Sequence, residues 1–194
     1  MGFSHSFIAT RGVPKAQLLE QLGLAETEEV GDLDVAMDGF GLGKLDGGWL
    51  IVACNDFDFP SKAPLATLAE AGEVVCGALE EHVMVSEAAA FAGGVETWRV
   101  AHDCERGQED LTVTGSPPAE LKKLLDAALA ELRAKADADY VFDVPTQLAA
   151  TVCGFEFGRS DGEFTALQPT RTLKRPKTAG GERPGFFARL FGRR

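Results

Sequence analysis

The alternation of apolar and polar residues sorts most of the first 169 positions into strands and short helices. In "GFSHSFIATR", Phe3, His5, Phe7 and Ala9 fall on one side and Ser4, Ser6, Ile8 and Thr10 on the other, the period of two that a half-buried strand requires. "VPKAQLLEQLGL" changes period: Pro14 suits a first helical turn, Leu18, Leu19 and Leu22 share a face, and Gly23 suits the position just past the helix end. "AETEEVGDLD" is acidic and turn-like. "VAMDGFGLGKLDGGWLIVACNDF" then reads as a strand, a glycine-rich connection and a strand whose apolar run "GWLIVAC" has no polar alternation, which predicts a central strand covered on both faces. "APLATLAEAG" predicts a second short helix, begun around Ser61 to Pro64 and stopped by Gly72.

From Val74 to Thr114 the pattern is sheet: "EVVCGALEEHVMV", "SEAAAF", "VETWRVAH" and "DLTVTG", with Gly93-Gly94 as a two-residue hairpin signal. "SPPAELKKLLDAALAELRAKAD" predicts the longest helix, with Ser116 as N-cap, Pro117 in the first turn and an apolar stripe through Leu121, Leu124, Leu125, Ala128, Leu129 and Leu132. "YVFDV" reads as a short strand and "PTQLAATVCG" as a helix between Pro145 and Gly154; "FEFGRSDGEFTAL" reads as a small hairpin turning at Asp161-Gly162. The fold class predicted is α+β, one domain over residues 1–169 in which three to four helices cover a mainly antiparallel sheet of about six to eight strands.

Residues 170–194 break the pattern. They are polar, basic and rich in Gly and Pro as far as "ERPG", which predicts a flexible tail, and then close with "FFARLFGRR". At 100° per residue Phe186, Phe187, Leu190 and Phe191 fall within an arc of about 140°, flanked by Arg189 and Arg193, so the segment 186–191 can be amphipathic. It is too short to hold a helix alone and would order on docking.

Charge sharpens this division. The chain of 194 residues has a formal charge of −11, but residues 171–194 hold eight basic groups against the single acid Glu182, a net +7, which leaves −18 on the rest. An acidic body of that charge repels nucleic acid and anionic lipid, so no nucleic acid is expected there, while a protein partner of basic character suits it. For the tail, the docking residues are Phe186, Phe187, Arg189, Leu190, Phe191, Arg193 and Arg194, and they suit a partner's groove, the body's own surface or peripheral contact with an anionic membrane.

Four cysteines, Cys54, Cys76, Cys104 and Cys153, occur without any C-x-x-C pair and each in an apolar run, which reads as free thiols packed as small hydrophobes in a reducing, cytoplasmic setting. The opening "MGFSHS" fits the form of an N-myristoylation signal through Gly2 and Ser6, but reads better as a strand entering the core.

Candidate chemistry is sparse. "GFGLGKL" lacks both the glycine five positions before Gly43 and the Ser or Thr after Lys44 that a phosphate loop requires, so no cofactor is expected from it. "AHDCE" sets His102, Asp103 and Cys104 side by side, but a strand sends Asp103 to the opposite face from its neighbours. The three histidines, His5, His82 and His102, are all expected on strands, with no short pairing that would mark a metal site. Asp56 and Asp58 close the central strand, where ligand-binding loops often sit. The chain therefore reads as a non-enzymatic accessory or protein-interaction protein; the alternative is a small enzyme or metal-binding protein in which His82 or His102 works beside Asp56, Asp58 or Glu80.

Overall fold

A computed structural model describes residues 3–135, 137–159 and 162–174. It is α+β, and among the described residues it contains nine strands in one antiparallel sheet and six helices. The strands are β1 (Ser4–Arg11), β2 (Leu24–Gly31), β3 (Phe40–Lys44), β4 (Trp49–Cys54), β5 (Glu73–Glu80), β6 (Val85–Ala92), β7 (Val95–Asp103), β8 (Thr112–Gly115) and β9 (Phe164–Pro169). They lie in the order β2-β9-β3-β4-β1-β5-β6-β7-β8. The helices are α1 (Lys15–Leu22), α2 (Asp34–Met37), α3 (Phe59–Lys62), α4 (Leu65–Leu68), α5 (Glu120–Lys135) and α6 (Val144–Cys153).

The middle of the sheet is covered on both sides. Ile8, Val52, Cys54, Val74 and Cys76 point to one face, where α1, α3 and α4 bring Leu18, Leu22, Phe59 and Leu68. Phe7, Ala9, Ile51, Ala53 and Val75 point to the other, under α2 and α6 with Ala36, Leu148 and Phe155. We call these the α1 face and the α6 face. The uninterrupted run in β4 reflects this double cover, as its composition predicts.

Glycines let the second layer approach. A Cβ on Gly41 would stand 2.7 Å from the Ala36 Cβ of α2, and one on Gly43 would stand 2.8 Å from the Phe164 ring of β9. The stretch "GFGLGKL" is thus a strand whose glycines admit a helix and an aromatic ring. Gly77 does the same for Phe7, whose ring would lie 2.6 Å from an added Cβ and which packs edge-on against Phe155 with centroids 5.1 Å apart.

Several expected elements are corrected. The sheet has nine strands where six to eight were expected, and six helices replace three to four, because short pieces at α2, α3 and α4 cap connections that read as loops or as one helix. "AETEEVG" is edge strand β2, not a turn: its exposed residues are acidic because one side of an edge strand meets water, and its partner β9 arrives from 140 positions away. β9 accordingly pairs with β2 and β3, not with 155–159 in a local hairpin; of the expected turn, Asp161 lies outside the described residues. "YVFDV" forms a turn, since the Phe142 N–H donates to the Asp139 carboxylate and Val141 and Val144 pack under Ala128. The long helix starts at Glu120, four residues after the expected cap, because each of two consecutive prolines holds the residue before it extended and the Ser116 N–H still donates to the Thr97 carbonyl of β7.

The Gly77 and Phe7 pair yields a double-mutant test. Gly77→Ala should destabilise by about 1–3 kcal/mol through overpacking, and by measurably less in a Phe7→Leu background, where the ring that meets the new methyl is gone. Urea unfolding of the four proteins reads the coupling; purely additive effects would contradict it.

Candidate functional site

The side chains with chemical potential fall into three places. His82 is not on a strand: it sits in the 81–84 turn between β5 and β6, exposed, with Nδ1 2.7 Å from Oε1 of Glu80. Burial pushes the Glu80 carboxyl up, but hydrogen bonds from His82 and Ser4 outweigh it and hold the group below its ordinary value. This is a surface pair on a hairpin tip.

Asp56 and Asp58 lie in the connection from β4 to α3. The Asp56 carboxylate accepts the Asp58 N–H at 2.9 Å and pairs with Lys62 Nζ at 2.7 Å, and the Asp58 carbonyl accepts the Ser61 hydroxyl at 2.7 Å. These contacts shape the entry to α3. Behind them Ser6 Oγ donates to the Asp56 carbonyl at 2.6 Å, which ties the loop to β1.

His102 is fully buried on the α6 face of β7. Its Nδ1 lies 2.7 Å from the Asp110 carbonyl oxygen and its Nε2 lies 2.9 Å from Oδ2 of Asp139, whose side chain is itself only 5% exposed. Both ring nitrogens face oxygens that act as acceptors in their ordinary forms. The pair therefore holds two protons for these two contacts, either as imidazolium with carboxylate or as imidazole with carboxylic acid. Directly opposite His102 on β6, Ser86 Oγ donates to the Phe142 carbonyl at 2.5 Å, so β6 and β7 grip the 137–143 segment by two polar contacts. His102 is thereby used up as an anchor for the turn that leads into α6.

Sequence reasoning missed a fourth group. On the α1 face, Arg99 of β7 pairs with Glu87 of β6 and also with Glu96, the latter through Nη2 at 2.5 Å. Glu87 is 3% exposed and its Oε2 has no hydrogen-bond partner. Burial pushes its carboxyl from the ordinary 4.5 up to about 7, against the pull of Arg99. Counting outward from the Gly93-Gly94 turn would set Arg99 opposite Ala88 and on the other face. An irregularity between Ala90 and Phe91 adds one residue to β7 and brings Arg99 opposite Ala89, onto the face of Glu87. A charged residue of each sign inside an apolar hairpin was the only signal available, and the bulge hid the register.

The sheet brings His82 to Glu80 and His102 to Asp139, while Asp56 and Asp58 meet neither histidine through any of these contacts. His5 stacks between Phe3 and Phe157 at ring separations of 5.2 Å, and burial lowers its pKa. Among the described residues no group of three His, Cys, Asp or Glu side chains converges on a common point for a metal ion. Two shallow concavities of about 260 and 210 Å³ are lined around Lys15, Lys44 and Glu163 and around Asp143, Gln147 and Arg159; no histidine lines either, although Phe157, which stacks on His5, lines the second. Cys54, Cys76 and Cys153 are buried free thiols, and burial pushes them up to about 11, 12 and 11. Among the described residues no helix is long and apolar enough to cross a membrane. The docking residues Phe186, Phe187, Arg189, Leu190, Phe191, Arg193 and Arg194 lie outside the described residues.

Comparison with protein-family models, with curated proteins and with solved structures finds no match to this chain.

Two outcomes are expected. Asp139→Ala should cost about 3–5 kcal/mol by leaving Nε2 of the buried His102 without its partner, whereas Asp139→Asn should cost less, because its amide can donate to a neutral ring. Equal losses in thermal or urea unfolding would refute this proton assignment. A carboxyl raised by folding contributes fully below its unfolded value and loses that contribution as pH rises through its folded value. Relative to wild type, E87Q should therefore gain on the order of 1–3 kcal/mol between about pH 4.5 and 7.5, with Arg99 still held by Glu96. A stability difference that stays flat with pH would exclude a raised Glu87.

Proposed function

We propose that this chain is a non-enzymatic cytoplasmic protein-interaction protein, an acidic body carrying its basic C-terminal segment as a docking element. The observation that supports this is where the segment leaves the body. The Thr170 N–H donates to the Gly23 carbonyl at 2.8 Å, the Arg171 guanidinium donates to the Glu20 and Gln21 carbonyls at 2.8 and 3.0 Å, and Leu173 packs on the α1-face core. These contacts set the start of the basic segment at the C-terminus of α1, beside edge strand β2.

That edge is the most one-sided stretch of the body. Residues 16–43 carry seven acids and no base, and Glu26, Glu28, Glu29, Asp32, Asp34 and Asp38 are exposed. Arg171 and Lys174, at the described start of this +7 segment, lie beside that surface, and attraction between the two charges is strengthened by low salt and screened by high salt. A partner that takes up the aromatic and arginine residues of the segment has to compete with this field, which makes docking sensitive to charge and to salt.

The test compares the full chain with a truncation after Lys174 as immobilised baits in cell extract, at low and raised salt. A discrete protein retained by the full chain and lost from the truncation, with retention weakened by salt, is the expected result. Equal retention by both baits would overturn the reading. Co-sedimentation with anionic vesicles by the full chain alone would replace the protein partner with a membrane surface.

A further inference from the structure

The two edges of the sheet are built differently. β2 is guarded by acids, but β8 is a bare edge: residues 111–119, "LTVTGSPPA", carry no charge, and all four residues of β8 are exposed. Thr and Val favour strands, and an uncharged edge of this kind is a template for another strand. The ladder shows which groups are free. Ser116 donates to the Thr97 carbonyl, so Thr114 opposite Arg99 and Thr112 opposite Ala101 are the hydrogen-bonded positions. By the alternation of an antiparallel pair, the N–H and C=O groups of Leu111 and Val113 point away from β7, and Gly115, at φ 71°, ends the extended run.

We propose that β8 is a self-association edge, pairing antiparallel with β8 of a second copy across a two-fold axis at Val113. That register sets Val113 opposite Val113 of the second copy, Leu111 opposite Gly115, and Thr112 opposite Thr114. The Val113 N–H and C=O of each copy then meet their complements on the axis, the threonines form cross-strand pairs, and every neighbouring strand in the joined sheet remains antiparallel.

Apolar surface and charge point to the same occupant. Val113 is 43% exposed and lies on the α6 face, opposite Val100, where α5 leaves Leu121, Leu125 and Leu129 only half-buried beside Leu111. A four-residue strand alone makes a small contact, so the pair of α5 helices supplies the apolar area that a stable dimer requires. A second copy is also the partner that the body's charge would most oppose elsewhere. Joining two β2 edges would face Glu26, Glu28 and Glu29 of one strand against the same three acids of the other, whereas residues 111–135 carry four bases against three acids and bring almost no net charge to the axis.

The experiment is sedimentation velocity on the full chain over a concentration series, with V113K and T112K as edge variants. V113K sets two lysines face to face on the axis, and like charges directly opposite should weaken the dimer at least about tenfold. Both side chains are exposed in the single copy, so circular dichroism melts of dilute V113K should barely change, and T112K should lose only the exposed contact in which the Arg106 guanidinium donates to Thr112 Oγ1 at 3.1 Å. Amide exchange supplies a second reading: the Val113 N–H should become protected as concentration rises in wild type and stay fast in V113K. A wild-type chain monomeric at hundreds of micromolar overturns the proposal. So does a dimer that survives both variants, which would place the contact elsewhere. Loss of the dimer on truncation after Lys174, with the edge variants silent, would give the contact to the C-terminal segment instead.

Discussion

Covering a wide sheet on both faces is the constraint from which the rest of this architecture follows. β4, β1 and β5 bury side chains above and below, so the central residues of each need neighbours in a second layer on both faces. No single helix supplies it. Short helices are drawn from connections all along the chain, α1, α3 and α4 to one face and α2 and α6 to the other. The close seating of α2 depends on the absence of a side chain at Gly41, where a methyl group would collide with Ala36, while Gly43 and Gly77 make room for the rings of their cross-strand partners Phe164 and Phe7.

Towards the β6–β8 end the apolar cover thins and polar groups enter the interior. Burying them is costly unless partners are supplied, and the structure supplies them on both faces: Asp139 and the Asp110 carbonyl for His102, and Arg99 for Glu87. On the α6 face this bonding fastens the 137–143 segment, and with it the start of α6, to the sheet. A histidine held by both nitrogens under that segment positions structure; it has no free atom to offer a substrate. The surface pair of His82 and Glu80 is free to reach solvent, but neither residue lines either concavity.

The edges carry the remaining asymmetry. An open sheet has two unpaired sides, and charge is one device that keeps such a side from pairing. Here the device is concentrated at β2, close to where the basic segment leaves the body, while β8 has none. Electrostatics thus distinguishes the two edges, an acidic one at the β2 end and an uncharged one at the β8 end, and the two contacts proposed above rest on that difference.

Period-two and period-3.6 patterns determined the class of fold, the double burial of "WLIVAC", the hairpin at Gly93-Gly94 and the buried leucines of α1, because each depends on residues adjacent along the chain. The charge division between body and tail is likewise a property of sequence alone. What required the tertiary structure was long-range pairing: the acidic stretch 24–31 becomes a strand only because β9 returns to it, and the one-residue bulge in β7 decides which face Arg99 occupies. The partners of His102 were equally hidden, since Asp139 lies 37 positions away in a segment with no motif of its own. Local propensity is written in neighbouring residues; register across a sheet and the burial of a polar pair are settled only when distant segments meet.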